Sequence, residues 1–341
     1  MQNLNKASRE LFKRSPDESF SSLAALADHC ETQRQDAAVY WYPPDRLRTV
    51  ATDTQHLVLS EAQDVSFEMN DWSFGQLCRL ANVEKRTINR LTADTASRVF
   101  GETLPRGAKP LQVYSIDDRV RSIHGASYTR LHNAELLDAV RDAAEGFDAP
   151  PKGFNGATGL YCGEQDMFCF LIDPNGWIDI DGEAFAPGFF VWNSEVGRRT
   201  LGIQTFWFQQ ICQNHIVWDA VEVFELNRKH TANVRDGLDE IRHAIHRLVA
   251  KRDARRDGFA RIIKRAMETR FEDSEEAQKA LIKTGIGQRL TRQAVELAGQ
   301  QGRFTVFSML DAVTRLAGSI VNAGERSKVD QQVGTLLELA V

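Results

Sequence analysis

Arginine and tyrosine side chains recur in one short stretch with a spacing that suits phosphate and base binding. Arg119 and Arg121 are two residues apart, so on a strand both side chains point to the same face. Tyr128 and Arg130 follow shortly after, and cationic clusters that contain aromatic rings hold single-stranded nucleic acid. The alternative interpretation is a strand with one solvated face and a tyrosine packed at its end.

A second arginine pair follows a predicted turn at Asn193–Gly197. Asn and Gly tolerate the left-handed backbone that such a turn needs. Arg198 and Arg199 would then stand at the start of a strand over residues 198–205, beside exposed backbone donors. Two guanidinium forks in that position suit phosphate recognition, although solvated edge charges are the alternative.

Charge is distributed in two opposite blocks. Residues 131–185 carry eleven acidic and two basic residues, whereas residues 228–270 carry thirteen basic and six acidic ones. The basic block contributes four further candidate nucleic-acid contacts, which are Lys251, Arg252, Arg255 and Arg256. Such blocks indicate attraction within or between chains, or a polyanion-binding stripe beside an acidic face.

The basic block also contains an apolar stripe at coiled-coil spacing. It consists of Val234, Leu238, Ile241, Ile245 and Leu248. An amphipathic helix needs a partner to bury its apolar face. We therefore expect a homo-oligomer, with the chain's own C-terminal helix over residues 304–321 as the alternative partner.

The segment Trp72–Leu91 is the clearest helical pair in the sequence. Asn82 stands at the turn of a helix-turn-helix pattern, and the predicted second helix over residues 84–91 would direct Lys85 and Arg86 outward. Major-groove binding is one interpretation. The other is a helical hairpin that packs on a sheet.

Around these residues the sequence predicts an α+β fold, in which a mostly antiparallel sheet is flanked by helices and the C-terminal region is helical. The predicted regions are a helical one at 1–110, a sheet core at 111–227 and a basic helical one at 228–341. Within the sheet core, a short helix is predicted over residues 206–213 and a strand over residues 216–224.

Composition sets limits on the class of protein. The chain has 341 residues, of which 42% are hydrophobic and 26% charged, and no apolar run is long enough for a membrane span. Five cysteines without paired spacing and no apolar leader predict a cytoplasmic protein with reduced thiols. No catalytic order of nucleophile, base and acid appears, and no metal-ligand set. We expect a binding protein rather than an enzyme, with no cofactor.

Several motifs together resemble a known family. They are Arg119–Arg130, Asn193–Gly197, Cys212–His215, Gly75–Val83 and Phe304–Leu316. The chain resembles, over residues 8–320, the phage- and plasmid-associated domain-of-unknown-function family number nine hundred and thirty-two. That resemblance implies a role in DNA maintenance or recombination on mobile elements, and a layout similar in kind to phage single-strand annealing proteins.

The leading hypothesis is therefore a mobile-element protein that binds single-stranded DNA and takes part in annealing or recombination. A counter-defence or protein-interaction factor with an acidic, DNA-mimicking face is a second hypothesis. A helix-turn-helix transcription regulator is a third. Salt dependence and a preference for duplex would separate them.

Overall fold

The fold is described from a computed structural model. The described residues are 14, 16–61, 66–107, 109–151, 158–209, 215–217, 224–300, 302, 304–317, 329, 332 and 335–340. They form an α+β fold with two mostly antiparallel sheets and a helical C-terminal region, which confirms the predicted fold class. None of the helices described is both long and apolar enough to cross a bilayer.

The first sheet is built from six of the described strands. They are β1 (Ala37–Tyr42), β2 (Leu47–Ala51), β3 (Leu57–Glu61), β4 (Ser66–Met69), β5 (Leu111–Ile116) and β6 (Arg119–Gly125). Their order is β1-β5-β6-β4-β3-β2, and only the β4–β6 pair among them is parallel. Because β5 pairs with β1 and β6 with β4, this sheet crosses the region boundary predicted at residue 110.

Three helices follow the first four strands. They are α2 (Asp71–Leu80), α3 (Lys85–Ile88) and α4 (Ala93–Thr103), and they come after α1 (Leu23–Gln35) in the chain. Leu77 and Phe100 from α2 and α4 are fully buried with Val113 and Val120 of the sheet. The segment Trp72–Leu91 therefore packs on the sheet as a helical hairpin, which was the alternative to major-groove binding. Its second helix has four residues where eight were predicted.

The second sheet contains the remaining described strands. They are β7 (Leu160–Cys162), β8 (Met167–Ile172), β9 (Ile178–Ile180), β10 (Glu183–Asn193), β11 (Leu201–Gln209), β12 (His215–Val217) and β13 (Glu225–Arg228). The main path runs β12-β11-β10-β8-β7, with β13 paired to β11 and β9 to β10. One face is covered by α1, α5 (Asn133–Ala143) and α6 (Asp236–Ala250).

The helix predicted over residues 206–213 is wrong for residues 206–209, which continue β11. Phe206 and Phe208 face one side of the sheet, whereas Trp207 faces the other and stacks on Phe259 at a centroid distance of 4.0 Å. Alternation with period two is the mark of a strand. Residues 210–213 lie outside the described residues, as do residues 218–223 of the next predicted strand.

The apolar stripe of the basic block is buried inside the chain. Val234, Ile241, Ile245 and Leu248 on and before α6 belong to the core beneath the second sheet, with Leu238 packed at its margin. The helix packs against α5 and β11 rather than against the C-terminal helix. The stripe therefore gives no support to the predicted homo-oligomer, because its partner is the chain's own core.

The C-terminal region contributes four described helices. They are α7 (Arg252–Glu268), α8 (Ser274–Lys283), α9 (Gln288–Gln300) and α10 (Val306–Ala317). They share a core with Phe185 and Trp207 at the end of the second sheet. Arg235 and Glu135 are 2.9 Å apart, and Arg252 pairs with Asp173. These pairs join the two opposite charge blocks within one chain.

Candidate nucleic-acid interface

The turn Asn193–Gly197 fixes the position of Arg198 and Arg199, which follow it directly. Gly197 has a φ of +73°, and a Cβ there would lie 2.7 Å from the ring of His124, so no other residue fits without movement. The Ser194 hydroxyl donates to Gln165 O at 2.6 Å and accepts from Arg198 N at 2.9 Å. The predicted turn thus exists, but β11 begins at Leu201 and both arginines precede it.

A second turn, Gly163–Asp166 between β7 and β8, supplies acceptors to arginines from both sheets. Arg121 donates to Glu164 O at 2.7 Å, and Arg119 lies 3.5 Å from the Glu164 carboxylate. Arg198 donates to the Gln165 side chain. Asp166 lies 3.5 Å from Arg198 and 2.5 Å from Arg199. The two predicted arginine pairs, far apart in sequence, therefore meet at one turn.

Trp72 and Arg79 extend this junction. They lie seven residues apart on α2, so they share one face of that helix. The guanidinium carbons of Arg79 and Arg198 are 5.2 and 5.7 Å from the centre of the Trp72 ring. Trp72 Nε1 donates to Val196 O at 2.9 Å, which fixes the ring beside the Asn193–Gly197 turn.

We call Arg79, Arg119, Arg121, Arg198 and Trp72 the arginine face. The Arg119 and Arg198 side chains are 58% and 43% exposed. Behind them, Arg14 and Arg199 both pair with the Asp166 carboxylate. Planar guanidinium groups of Arg79 and Arg198 therefore lie beside an aromatic ring at this junction.

Arg199 lies beneath the arginine face. Its side chain is only 7% exposed and its guanidinium lies 4.7 Å from the Phe168 ring centre. Burial lowers the pKa of Arg199, against the opposing effect of the Asp166 carboxylate. Arg14 binds the other oxygen of Asp166 at 2.8 Å. Arg199 is therefore positioned to hold the turn rather than to contact a phosphate directly.

Arg130 is buried and Tyr128 half-buried in a polar core between the two sheets. Arg130 is 7% exposed, donates to Glu195 O and to Gln112 Oε1 at 2.7 Å, and lies 3.7 Å from the Tyr114 ring centre. Tyr128 Oη donates to Glu195 O at 3.0 Å. The Arg130 guanidinium does not reach solvent, and the Tyr128 hydroxyl and ring already have partners within the chain. Their spacing reflects internal packing.

Glu195 is the acid at the centre of this polar core. It accepts from Tyr114 Oη and, at 2.7 Å, from Asn133 N at the start of α5, and His132 Nδ1 lies 3.5 Å away. Burial would raise the pKa of Glu195. The hydrogen bond and charge of His132, together with the bonds from Tyr114 and Asn133, lower it instead. The carboxylate is therefore held ionised between the sheets.

Two histidines enclose Tyr128. Its ring stacks on His124 at a centroid distance of 3.7 Å and on His230 at 5.4 Å. Burial, with Arg130 nearby, lowers the pKa of both His124 and His230 to about 4. Both rings are therefore neutral at pH 7. The tyrosine that was predicted to stack on a base already has two ring partners.

The basic helix candidates lie elsewhere. Asp173, which pairs with Arg252, follows β8, whereas Asp166 precedes it, and a strand of that length separates the two by about 20 Å. Arg255 is 6% exposed, and burial lowers its pKa to about 10. The Arg256 side chain lies 3.0 Å from Asp253 within its own helix.

Lys251, at the junction of α6 and α7, is exposed. The predicted site residues therefore do not form one surface. Arg119, Arg121 and Arg198 meet at the junction of the sheets, and the four residues of the basic block lie apart from them. Sequence reasoning missed Trp72 and Arg79 because it treated their helix as half of a helix-turn-helix.

Neither a metal-ligand cluster nor similarity to a known protein indicates a function for the site. Among the residues described, no group of three or more His, Cys, Asp or Glu side chains is arranged to hold a metal ion. The function of the chain is therefore inferred from its site geometry, and the family resemblance stays a hypothesis. No protein-family model matches the chain, and no curated protein or solved structure is significantly similar to it.

Proposed function

We propose that this chain binds single-stranded nucleic acid through the arginine face. The observation that carries the proposal is that Arg119, Arg121 and Arg198 meet at the Gly163–Asp166 turn, where Arg198 and Arg79 also flank the Trp72 ring. Exposed guanidinium groups bind phosphate oxygens in a bidentate manner, and their planes also stack on bases. A face of this kind tracks a backbone without requiring a particular sequence.

Duplex recognition by the helical pair has less support. A four-residue helix such as α3 rises only about 6 Å, too little to place several side chains along a major groove. Lys85, which was predicted to face DNA, pairs instead with Asp71 on α2. The acidic-face hypothesis also has less support, because Glu135 and Asp173 already pair with arginines of the same chain.

The family resemblance adds a setting to this proposal. On a mobile element the ligand would be single-stranded DNA, and the activity would be annealing or recombination. Annealing is measurable as the rate at which two complementary labelled oligonucleotides pair, with and without the protein. Acceleration beyond the spontaneous rate would support that part of the proposal, and an unchanged rate would contradict it.

The arginine face predicts a specific loss of affinity. The double variant Arg119→Ala, Arg198→Ala should weaken binding of a labelled single-stranded oligonucleotide by roughly 10- to 100-fold, because two phosphate contacts are removed. The slope of log affinity against log salt should fall by about 1 to 1.5, since each contact with a single strand contributes about 0.7. Fluorescence anisotropy over a salt series measures both quantities.

A matched control tests whether loss of any exposed arginine weakens oligonucleotide binding to the same extent. The Arg34 side chain is 47% exposed and pairs with Glu31 on its own helix, so it resembles Arg198 in exposure but lies on α1. Arg34→Ala should leave affinity and salt slope unchanged. Equal effects of the control and the double variant would indicate diffuse charge attraction, and a folded double variant with full affinity would refute the arginine face.

A further inference from the structure

A pair of cysteine thiols lies beneath α1, outside the arginine face. Cys30 on α1 and Cys162 at the end of β7 have sulfur atoms 3.8 Å apart, although 132 residues separate them in sequence. Both are free thiols, and they are 0% and 4% exposed. A disulfide bond is about 2.05 Å long, so the two sulfurs would have to approach by somewhat less than about 2 Å to form one. The contact joins an outer helix to a strand of the second sheet.

Polar side chains contact the Cys162 sulfur. Asn133 Nδ2 donates to its sulfur at 3.8 Å, and Gln33 Oε1 lies 4.0 Å from it. His29, one residue before Cys30, also interacts with this thiol. His29 and Gln33 are half-buried, so the route to the sulfur that the proposal requires lies past these two side chains.

The two thiols differ in acidity. The hydrogen bond that Cys30 donates, and to a lesser extent that of His29, lowers the pKa of Cys162 to about 7 in spite of burial. The same interaction, together with burial, raises the pKa of Cys30 well above the usual range. Cys162 is thus the more acidic and Cys30 the less acidic thiol of the pair, as in dithiols with one attacking and one resolving sulfur.

We propose that Cys30 and Cys162 form a peroxide-reactive dithiol, in which Cys162 is oxidised first and Cys30 closes a reversible disulfide. The Cys162 sulfur attacks one oxygen of hydrogen peroxide and the O–O bond breaks. Hydroxide departs, and Cys162 becomes a sulfenic acid. The Cys30 sulfur then loses its proton and attacks the sulfenic sulfur, and the S–O bond breaks to release water. Two electrons pass from the thiols to hydrogen peroxide, which becomes two waters.

The proposal is tested by treating the reduced full-length protein with hydrogen peroxide, blocking the remaining thiols with iodoacetamide, and mapping peptides by mass spectrometry. We expect a Cys30–Cys162 cross-link, a loss of two alkylated cysteines, and recovery of both with dithiothreitol. A wild-type protein that keeps both thiols, or that cross-links other cysteines instead, would overturn the proposal.

Single variants separate the two roles. Cys30→Ser should stop at a sulfenic acid on Cys162 that dimedone labels, whereas Cys162→Ser should leave Cys30 reduced. Cys78→Ser removes a buried thiol from α2, which packs on the first sheet, and this variant should cross-link like the wild type. A Cys162→Ser protein whose Cys30 reacts as fast as the wild-type pair would contradict the assignment.

The pH dependence gives a further readout on the wild-type chain. With a pKa of about 7, the rate of Cys162 oxidation should fall only about twofold between pH 9 and pH 7, whereas an ordinary thiol near 8.5 slows by about 25-fold. A decline of the larger size would show that the pair does not activate Cys162.

Discussion

Replacing Glu195 by glutamine is expected to lower the free energy of unfolding by about 3 kcal/mol, because a buried charged hydrogen-bond acceptor would be lost. The carboxylate accepts from Tyr114 Oη and Asn133 N, and glutamine would turn an NH₂ group toward one of those donors. The change also removes the negative charge that attracts the buried Arg130 guanidinium. The core would then hold a cation with less compensation than before.

Urea unfolding at pH 7 measures this effect. Glu164→Gln is the matched control, because its carboxylate also contacts an arginine but is 50% exposed. Exposed ion pairs contribute little, so the control should lie within about 1 kcal/mol of the wild type. If both variants lost the same stability, Glu195 would not be the centre of the polar core.

The folded state should also lose about 3 kcal/mol of stability between pH 7 and pH 5. His124 and His230 have folded pKa values of about 4, below the ordinary value near 6.5. As pH falls below 6.5 the unfolded chain binds protons that the folded chain does not, so stability declines until about pH 4. Glu195 does not contribute in this window, since its stabilisation is lost only below the ordinary carboxyl pKa.

Urea midpoints at several pH values would follow this decline. His230→Phe keeps a ring against Tyr128 but cannot be protonated, so it should reduce the pH-dependent loss by about half. His246 is exposed on α6, and His246→Asn should follow the wild-type curve. A pH-independent wild type would show that these two rings are not held neutral by the fold.

Short-range patterns in the sequence were sufficient for the fold class and for the turn at Asn193–Gly197. Turn residues and helix caps act locally, so their signal survives in a single sequence. The predicted helix over 206–213 failed because Phe206, Trp207 and Phe208 are all apolar. Strand alternation is hidden when both faces of a sheet are buried.

The candidate site was predictable only in part, for a different reason. Arg119 and Arg130 look alike in sequence, but one is exposed and the other lies between two sheets. That difference depends on where Glu195 and Tyr114 fall in three dimensions, which no local spacing encodes. The meeting of Arg121 with Arg198 likewise depends on pairing between distant strands.

The strand order of the first sheet has a consequence for the newly made chain. The partner of β1 is β5, which begins about 70 residues after β1 ends. At a synthesis rate of about 5–20 residues per second, β1 waits roughly 4–14 s for its partner to emerge from the ribosome. During that time Tyr40, Trp41 and Tyr42 lack their partner strand, while the β2–β3–β4 meander and helices α2 to α4 are already synthesised. Even in the finished fold β1 is an edge strand, with Trp41 48% exposed. Because β1 lacks its partner strand during synthesis, protection of this segment by a chaperone is most needed while the first hundred residues are being made.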